Sequence, residues 1–534
     1  MTLRRNGASV ELLEGATGRV LTRAAREATQ EIVVYGSAGD DTLTIDFSNG
    51  NPIPSGGVTF DGGDQTTREG DALVLRGGSF RKVTYDYANA HDGSVILDGS
   101  LVRYRGLEPI MNTGTVSDVV FNLPSGAPNV AQLKDNGTLG DGMSQLASSG
   151  TFETTNFTNP TGSLTINLGS MGDHLGICCG FDSGAGAGQF SASIIVNGGA
   201  GNDTVSVAQD LAIAGSLTLS GETVNIAAAA ITTGGSQTYN GPISAIGPPT
   251  TTLASTGSGN VTFNGLYSGL GRNLVVNTAG VTAFQQGVQT GSLVTDAPGS
   301  TTMIGVMESQ GAQTFGDPVT LTGNVGFQGD LAGASVTLPN TVSSAGPFSI
   351  ALSGMGTLNL LGANTYLGGT LVNAGTLFVN NTTGSGTGTG TIQMNSGGTI
   401  SGTGSTLSML ALQPGSTLAP GNAGIGALAV GNFNWTGGAT AAFDLSNVDS
   451  SSDQVVVAGA FSKFGSPPYT FDFQGTGHAA VYTLATFTST TFAVGDFSYT
   501  NLAPTLAGTF SIVGNTLQFT VGVVPVELMR FEAE

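Results

Sequence analysis

From Ile32 onward, apolar and polar residues alternate in short runs separated by glycine, aspartate and asparagine. Ile32-Val33-Val34-Tyr35 leads through Gly39-Asp40-Asp41 into Leu43-Thr44-Ile45-Asp46-Phe47, and the rhythm persists almost to the carboxyl end. A period of two puts every second side chain on one face of an extended segment, so this pattern predicts strands with one buried face. It is tightest where a tripeptide recurs: Gly356-Thr357-Leu358, Gly369-Thr370-Leu371, Gly375-Thr376-Leu377, Gly390-Thr391-Ile392 and Gly398-Thr399-Ile400. Glycine permits the bend, threonine starts the strand, and the aliphatic residue points inward. A chain that re-enters a strand so often, with little charge between, predicts a β-solenoid with Leu358, Leu360, Leu371, Leu377, Val379, Ile392 and Ile400 in its core.

The texture of the pattern divides the chain into four segments. Residues 1–31, with Leu12, Leu13, Val20 and Leu21 among arginines and glutamates, predict a short amphipathic helix or a frayed tail. Residues 32–210 form a strand-rich module with Gly/Asp turns, and residues 211–435 the solenoid proper. Residues 436–534 are dense in aromatics, among them Phe461, Tyr469, Phe471, Phe473, Tyr482 and Phe497. They predict an antiparallel β cap, because a terminal coil exposes apolar side chains and open strand edges.

Longer echoes run through the third segment. Gly235-Ser236-Gln237-Thr238-Tyr239-Asn240-Gly241-Pro242-Ile243 returns as Gly311-Ala312-Gln313-Thr314-Phe315-Gly316-Asp317-Pro318-Val319. Gly259-Asn260-Val261-Thr262-Phe263 returns as Gly323-Asn324-Val325-Gly326-Phe327. The unequal offsets predict coils of about 20–30 residues that tolerate insertions.

These motifs carry resemblances. GSAGDDTLTIDFSNGNPIPSGGVTFDGGD, residues 36–64, resembles a module of very large repetitive secreted bacterial proteins. The Gln-Thr-aromatic echo is similar to repeats of filamentous-haemagglutinin-like proteins. LNLLGANTYLGGTLVNAGTLFVN, residues 358–380, resembles the autotransporter-associated β-strand repeat through Gly362, Asn364, Thr365, Tyr366, Gly368, Gly369, Asn373, Ala374, Gly375, Thr376 and Leu377. That resemblance implies a secreted, right-handed parallel β-helix at a cell surface. Asparagines there can stack as amide ladders between coils. The expected fold is therefore all-β: a right-handed parallel β-helix with a strand-rich N-terminal module and a C-terminal antiparallel cap. An autotransporter also ends in a membrane barrel, whereas this sequence closes on VELMRFEAE, so release or another export route is expected. No apolar leader is visible at the start, and the expected true start lies upstream.

Composition narrows the functions. Charged residues are 10% of the 534, and the net charge is −21. Twelve of the fifteen lysines and arginines lie at or before Lys134, so the rest of the chain is strongly acidic. A nucleic-acid partner is not expected, since nothing there could neutralise phosphates, and an anionic membrane surface is disfavoured likewise. No apolar run approaches the length of a transmembrane helix. The two cysteines, Cys178 and Cys179, are adjacent. They read as a fortuitous apolar pair in preference to a vicinal disulfide.

Candidate chemistry is sparse. Gly198–Ser206, GGAGNDTVS, fits a calcium nonapeptide, and Gly36–Thr44, GSAGDDTLT, nearly does. Asp40, Asp41 and Asp203 are thus candidate calcium ligands, but each copy stands alone in the sequence, which favours Asx-type turns. His91 and His174 sit in turns and His478 in the expected cap, and each reads as solvated. Acidic residues in the solenoid (Glu222, Asp296, Glu308, Asp317, Asp330) are dispersed, against the clusters that polysaccharide-cleaving β-helices need. Tyr239, Tyr267, Tyr366 and Trp435 could contact carbohydrate if exposed, or could stack inside the coil. The sequence reading is a non-catalytic secreted or cell-surface β-solenoid: stalk, matrix component or adhesin, with extracellular polysaccharide as the possible partner and no required cofactor. A polysaccharide-processing enzyme and a calcium-dependent carbohydrate-binding protein are the alternatives.

Overall fold

The computed structural model describes residues 1–67, 70–184, 188–329, 331 and 333–524. The described chain is all-β, with short 3-10 turns at Arg26–Ala28 and Val494–Asp496 as its helical elements. It divides into two compact units, Met1–Ala283 and Phe284–Glu534. Among the described residues no helix is long and apolar enough to cross a membrane.

In the first unit, parallel strands stack in register. Ser79–Tyr87, Thr115–Asn122, Ser163–Asn167, Ser193–Asn197, Leu217–Ser220, Gln237–Asn240 and Val261–Phe263 form one such ladder. Down its inner face run Tyr85, Phe121, Ile166, Val196, Leu219, Tyr239 and Phe263, all buried. Identical phase on every strand is what permits this, because a one-residue slip would turn the whole apolar set outward. One position further along, Asn122, Asn167 and Asn197 hold each other amide to amide, Asn167 Nδ2 donating to Asn122 at 2.6 Å and Asn197 to Asn167 at 2.7 Å. The column resumes at Asn240 and Asn264, whose amide donates to Asn240 at 2.6 Å. Asn167 both donates and accepts within the column, Asn122 passes its own donor to Asp86, and Asn240 donates to the Ser220 hydroxyl.

The expected helix or tail at 1–31 is instead a three-stranded antiparallel meander, Thr2–Asn6, Ser9–Leu13 and Val20–Ala25. Its first strand adds in parallel to Thr42–Asp46. Asn6 pairs with Ser9 across a two-residue turn whose Gly7 has φ +61°, a hairpin signal that outweighs the scattered leucines. Leu3, Val10 and Leu13 go inward, whereas Val20 and Leu21 stay exposed.

Two antiparallel excursions interrupt the parallel stacking between residues 79 and 158. Ser79–Tyr87, Gly93–Leu97 and Ser100–Arg105 form one, and Val130–Asp135, Met143–Ser148 and Thr155–Thr158 the other.

In the second unit, Ser335–Leu338, Thr357–Leu360, Gly375–Val379, Gly398–Gly402, Thr417–Pro420, Thr440–Ala442, Tyr469–Asp472 and Phe497–Thr500 pair in parallel. Leu358, Leu377 and Ile400 align in one buried column, as the tripeptide pattern predicts. Gly375 has φ +83°, and a Cβ there would come within 2.4 Å of the Gly356 carbonyl oxygen, so only glycine fits this corner. Leu360, Val379 and Ile392 are buried too, but Leu371 turns outward while Thr370 is buried in its place. Thr370 stands in register with Ile350 and Ile392, and its hydroxyl bonds the Tyr366 hydroxyl at 2.5 Å. The phase follows the register, which also sends Val372 inward beside the buried Leu352 and Met394, and the bond satisfies the hydroxyl buried as a result.

The expected antiparallel cap at 436–534 is smaller than its aromatic texture implied. Parallel pairing continues to Phe497–Thr500, and among the described strands of this segment Val481–Thr486, Leu506–Val513 and Thr516–Val523 are those that meet antiparallel. Alternation reveals the buried face of a strand, not the direction of its neighbour. In the last hairpin Phe519 stacks on Phe473 at 4.6 Å and Phe510 lies 5.5 Å from Phe471.

Candidate functional site

The sequence candidates fall into columns that linear reading could not see. Two residues before the register-matched Leu43, Leu73, Ile110 and Thr155 stand Asp41, Asp71, Glu108 and Glu153, one on each successive strand. Two before Ala131, Leu175, Val205 and Val224 stand Asn129, Asp173, Asp203 and Glu222. The nonapeptide turns that stand alone in sequence therefore stack on relatives with different spelling.

In the second column each acid accepts the backbone N–H of the residue one strand earlier. Asn129 N–H donates to Asp173 at 2.6 Å, Asp173 to Asp203 at 2.8 Å, and Asp203 to Glu222 at 2.8 Å. A Cβ on Gly198 would lie 2.7 Å from Asp203 Oδ2, which accounts for the glycine ahead of the acid. Burial, reinforced by the Asp203 charge, raises the Asp173 carboxyl above its usual range. In the first column Asp41 N–H donates to Asp71 at 2.6 Å, and Asp41 in turn accepts the Ser37 hydroxyl at 2.8 Å. Asp40 takes the Thr67 hydroxyl at 2.6 Å and the Thr66 and Thr67 backbone N–H groups. Those bonds, the Thr67 hydroxyl foremost, hold its carboxyl down to about 2. Asp40, Asp41 and Asp203 thus each lock a turn. Among the described residues no three His, Cys, Asp or Glu side chains gather to hold a metal ion.

Tyr239, Tyr267, Tyr366 and Trp435 are all at most 1% exposed, so the carbohydrate-contact expectation for them is corrected to core packing. Period two places them on the inner face, and each lies among other buried side chains. Cys178 and Cys179 are joined by a vicinal disulfide, against the preferred reading of a fortuitous pair. His478 bonds the Tyr482 hydroxyl at 2.7 Å. Asp330 lies outside the described residues.

The feature the sequence reading missed lies where the two antiparallel excursions leave the ladder. A cavity of about 660 Å³ is lined there by His91, Glu108, Ser148, Phe152, Glu153 and Thr154, among others. The His91 turn is tied by Asn89, whose side chain accepts the His91 backbone N–H at 2.9 Å, and by Leu107 N–H donating to the His91 carbonyl. The facing turn is held by the Ser148 hydroxyl, which accepts the N–H groups of Gly150, Thr151 and Phe152. His91 Nδ1 lies 2.8 Å from Glu108 Oε1, and Glu108 Oε2 accepts the Gln65 amide at 2.8 Å. Glu153 is only 4% exposed, and its carboxyl has the Thr154 backbone N–H as partner. Burial first, and the Glu108 charge second, push Glu153 up to about 8. The same burial raises the Tyr87 and Tyr104 hydroxyls beyond their usual range. Each of these residues looks ordinary in sequence, and only the register of Ile110 with Thr155 brings Glu108 and Glu153 together.

No protein-family model matches the chain, and no curated protein matches it.

Proposed function

We propose that this protein is a non-catalytic β-solenoid of a cell surface or secreted matrix, a stalk or adhesin, in which the parallel ladders close as a right-handed β-helix. The observation that carries this reading is the repetition of like side chains layer upon layer, above all the Asn122–Asn167–Asn197 amide ladder. Such columns stabilise a stack of coils without charge or cofactor. The segment 358–380, which resembles the autotransporter-associated repeat, fits the same reading. Asn364 is buried, accepting the Val342 N–H at 2.7 Å and donating to the Gly386 carbonyl at 2.6 Å. Asn395 donates to Asn373 at 2.8 Å. The asparagines of that motif thereby fasten one layer to the next.

The test is placement and attachment. Protease shaving of intact producing cells should remove the protein, and its deletion should reduce adhesion or matrix retention. A chain that stays protected until lysis would overturn the surface reading. A crystal structure whose ladders do not close, or close with the opposite hand, would overturn the β-helix.

A further inference from the structure

The cavity between the two antiparallel excursions carries more than packing. Its acidic groups come from different strands: Glu108 precedes Ile110–Asn112, and Glu153 precedes Thr155–Thr158. In register they are neighbours on adjacent strands, whose backbones lie about 4.8 Å apart. Among the described residues Glu108 is paired with His91, whereas Glu153 has no ion pair. Among the described residues no lysine or arginine lines the cavity. Glu153 is left as a buried acid beside a second acid, a placement costly to the ionised form unless a cation arrives. Tyr104, 1% exposed, lies outside the cavity lining, and its partnerless hydroxyl is close enough for the Glu153 charge to raise it further.

We propose that this cavity is a binding site for the ammonium group of a small organic amine, with Glu153 and Glu108 as its counter-charges. A metal ion is the poorer occupant, since among the described residues no three ligating side chains converge. The volume suits a small molecule, Phe152 offers apolar contact, and Thr154 supplies a hydroxyl at the wall. The inference stands on the cavity alone and requires neither coil closure nor surface placement, so either can fail without the other.

Binding must then expel the Glu153 proton. The charged or titratable groups that face it are Glu108, Tyr87 and Tyr104, with His91 beyond Glu108. Because the free carboxyl titrates at about 8, amine affinity should rise as pH rises towards 8 and level off above it. For one linked proton the gain from pH 6 to pH 8 is roughly fifty-fold, while an alkylammonium near pKa ~10 stays charged throughout.

Titration calorimetry on the full chain with putrescine tests this, using butane-1,4-diol as the neutral counterpart. Putrescine should bind at pH 8 and about fifty-fold more weakly at pH 6. Binding should release close to one proton at pH 6 and about half a proton at pH 8, read from buffers of different ionisation enthalpy. Glu153→Gln, which mimics the protonated acid and should keep the fold, should abolish proton release and weaken binding at pH 8 at least about tenfold. Glu108→Gln should weaken binding at both pH values. No binding of millimolar putrescine at pH 8, equal binding of the diol, or an unchanged pH dependence in Glu153→Gln would each overturn the proposal.

Discussion

Replacing Phe315 by tyrosine should stabilise the second unit, and the reason lies in the first. Gln237 and Gln313 occupy the same place in the sequence echo, and both are at most 1% exposed. Gln237 Nε2 donates to the Ile231 carbonyl at 3.1 Å and the Thr233 hydroxyl at 3.3 Å. Gln313 Nε2 donates to the Met307 carbonyl at 3.0 Å and the Ser309 hydroxyl at 2.9 Å, the same offsets along the chain. Gln237 Nε2 also reaches the Ala254 carbonyl at 2.8 Å, and the two sites part further at the other end of the amide. Tyr239 donates its hydroxyl to Gln237 Oε1 at 2.8 Å, whereas Phe315 has none to give and Gln313 Oε1 is a buried acceptor without a partner. A new hydrogen bond is worth about 0.5–1.5 kcal/mol, and removing one that leaves a buried acceptor bare costs about 1–3 kcal/mol. Phe315→Tyr should therefore gain about 1 kcal/mol, and Tyr239→Phe should lose about 1–3 kcal/mol. A long stack of layers need not unfold in one step, so native-state hydrogen exchange is the suitable assay. Protection of the amides in Gln313–Phe315 should rise about fivefold in Phe315→Tyr, and that of Gln237–Asn240 should fall by at least as much in Tyr239→Phe. The competing effect is overpacking, which costs about 1–3 kcal/mol where an added oxygen has no room. A Phe315→Tyr protein less protected than the parent, or a Tyr239→Phe protein unchanged, would refute the equivalence of the two sites.

Three further outcomes follow from the same geometry. Glu153 holds its proton to about pH 8 when folded but only to about 4.3 when unfolded, so the folded state binds the extra proton in that window. Stability of the first unit should fall as pH rises from about 4.5 to 8, by a few kcal/mol at most, and Glu153→Gln should flatten that decline in urea titrations at successive pH values. Deleting the chain from Leu506 onward should uncover Phe471 and Phe473 and free the edge of Val481–Thr486, so light scattering should report oligomers; a stable monomer would mean the hairpin is dispensable. Millimolar calcium should leave the melting temperature unchanged, since Asp40, Asp41 and Asp203 are engaged in turn hydrogen bonds, and a rise of many degrees would show them to be ligands.

The alternation of Leu358, Leu360, Leu377 and Val379 by itself determined that these segments are strands and which face they bury, because a period of two admits one such arrangement. The echo around Gln237 and Gln313 was equally legible, since a buried amide dictates the residues it must reach. Three things waited for the tertiary structure. Leu371 faces outward because the register aligns Thr370 with Ile350 and Ile392 and buries Val372 with Leu352 and Met394, while Tyr366 satisfies the threonine hydroxyl. The hairpin of Thr2–Asn6 and Ser9–Leu13 has a local signal in its Gly7 turn, but the parallel pairing of Thr2–Asn6 with Thr42–Asp46 rests on a distant edge that no local propensity encodes. The cavity acids look dispersed in the chain and meet only through the pairing of Ile110 with Thr155. Side-chain periodicity is a local property, set by the backbone's own geometry. Register between strands is a property of the whole stack, fixed when the buried faces of successive layers must coincide, and it alone decides which distant residues become neighbours.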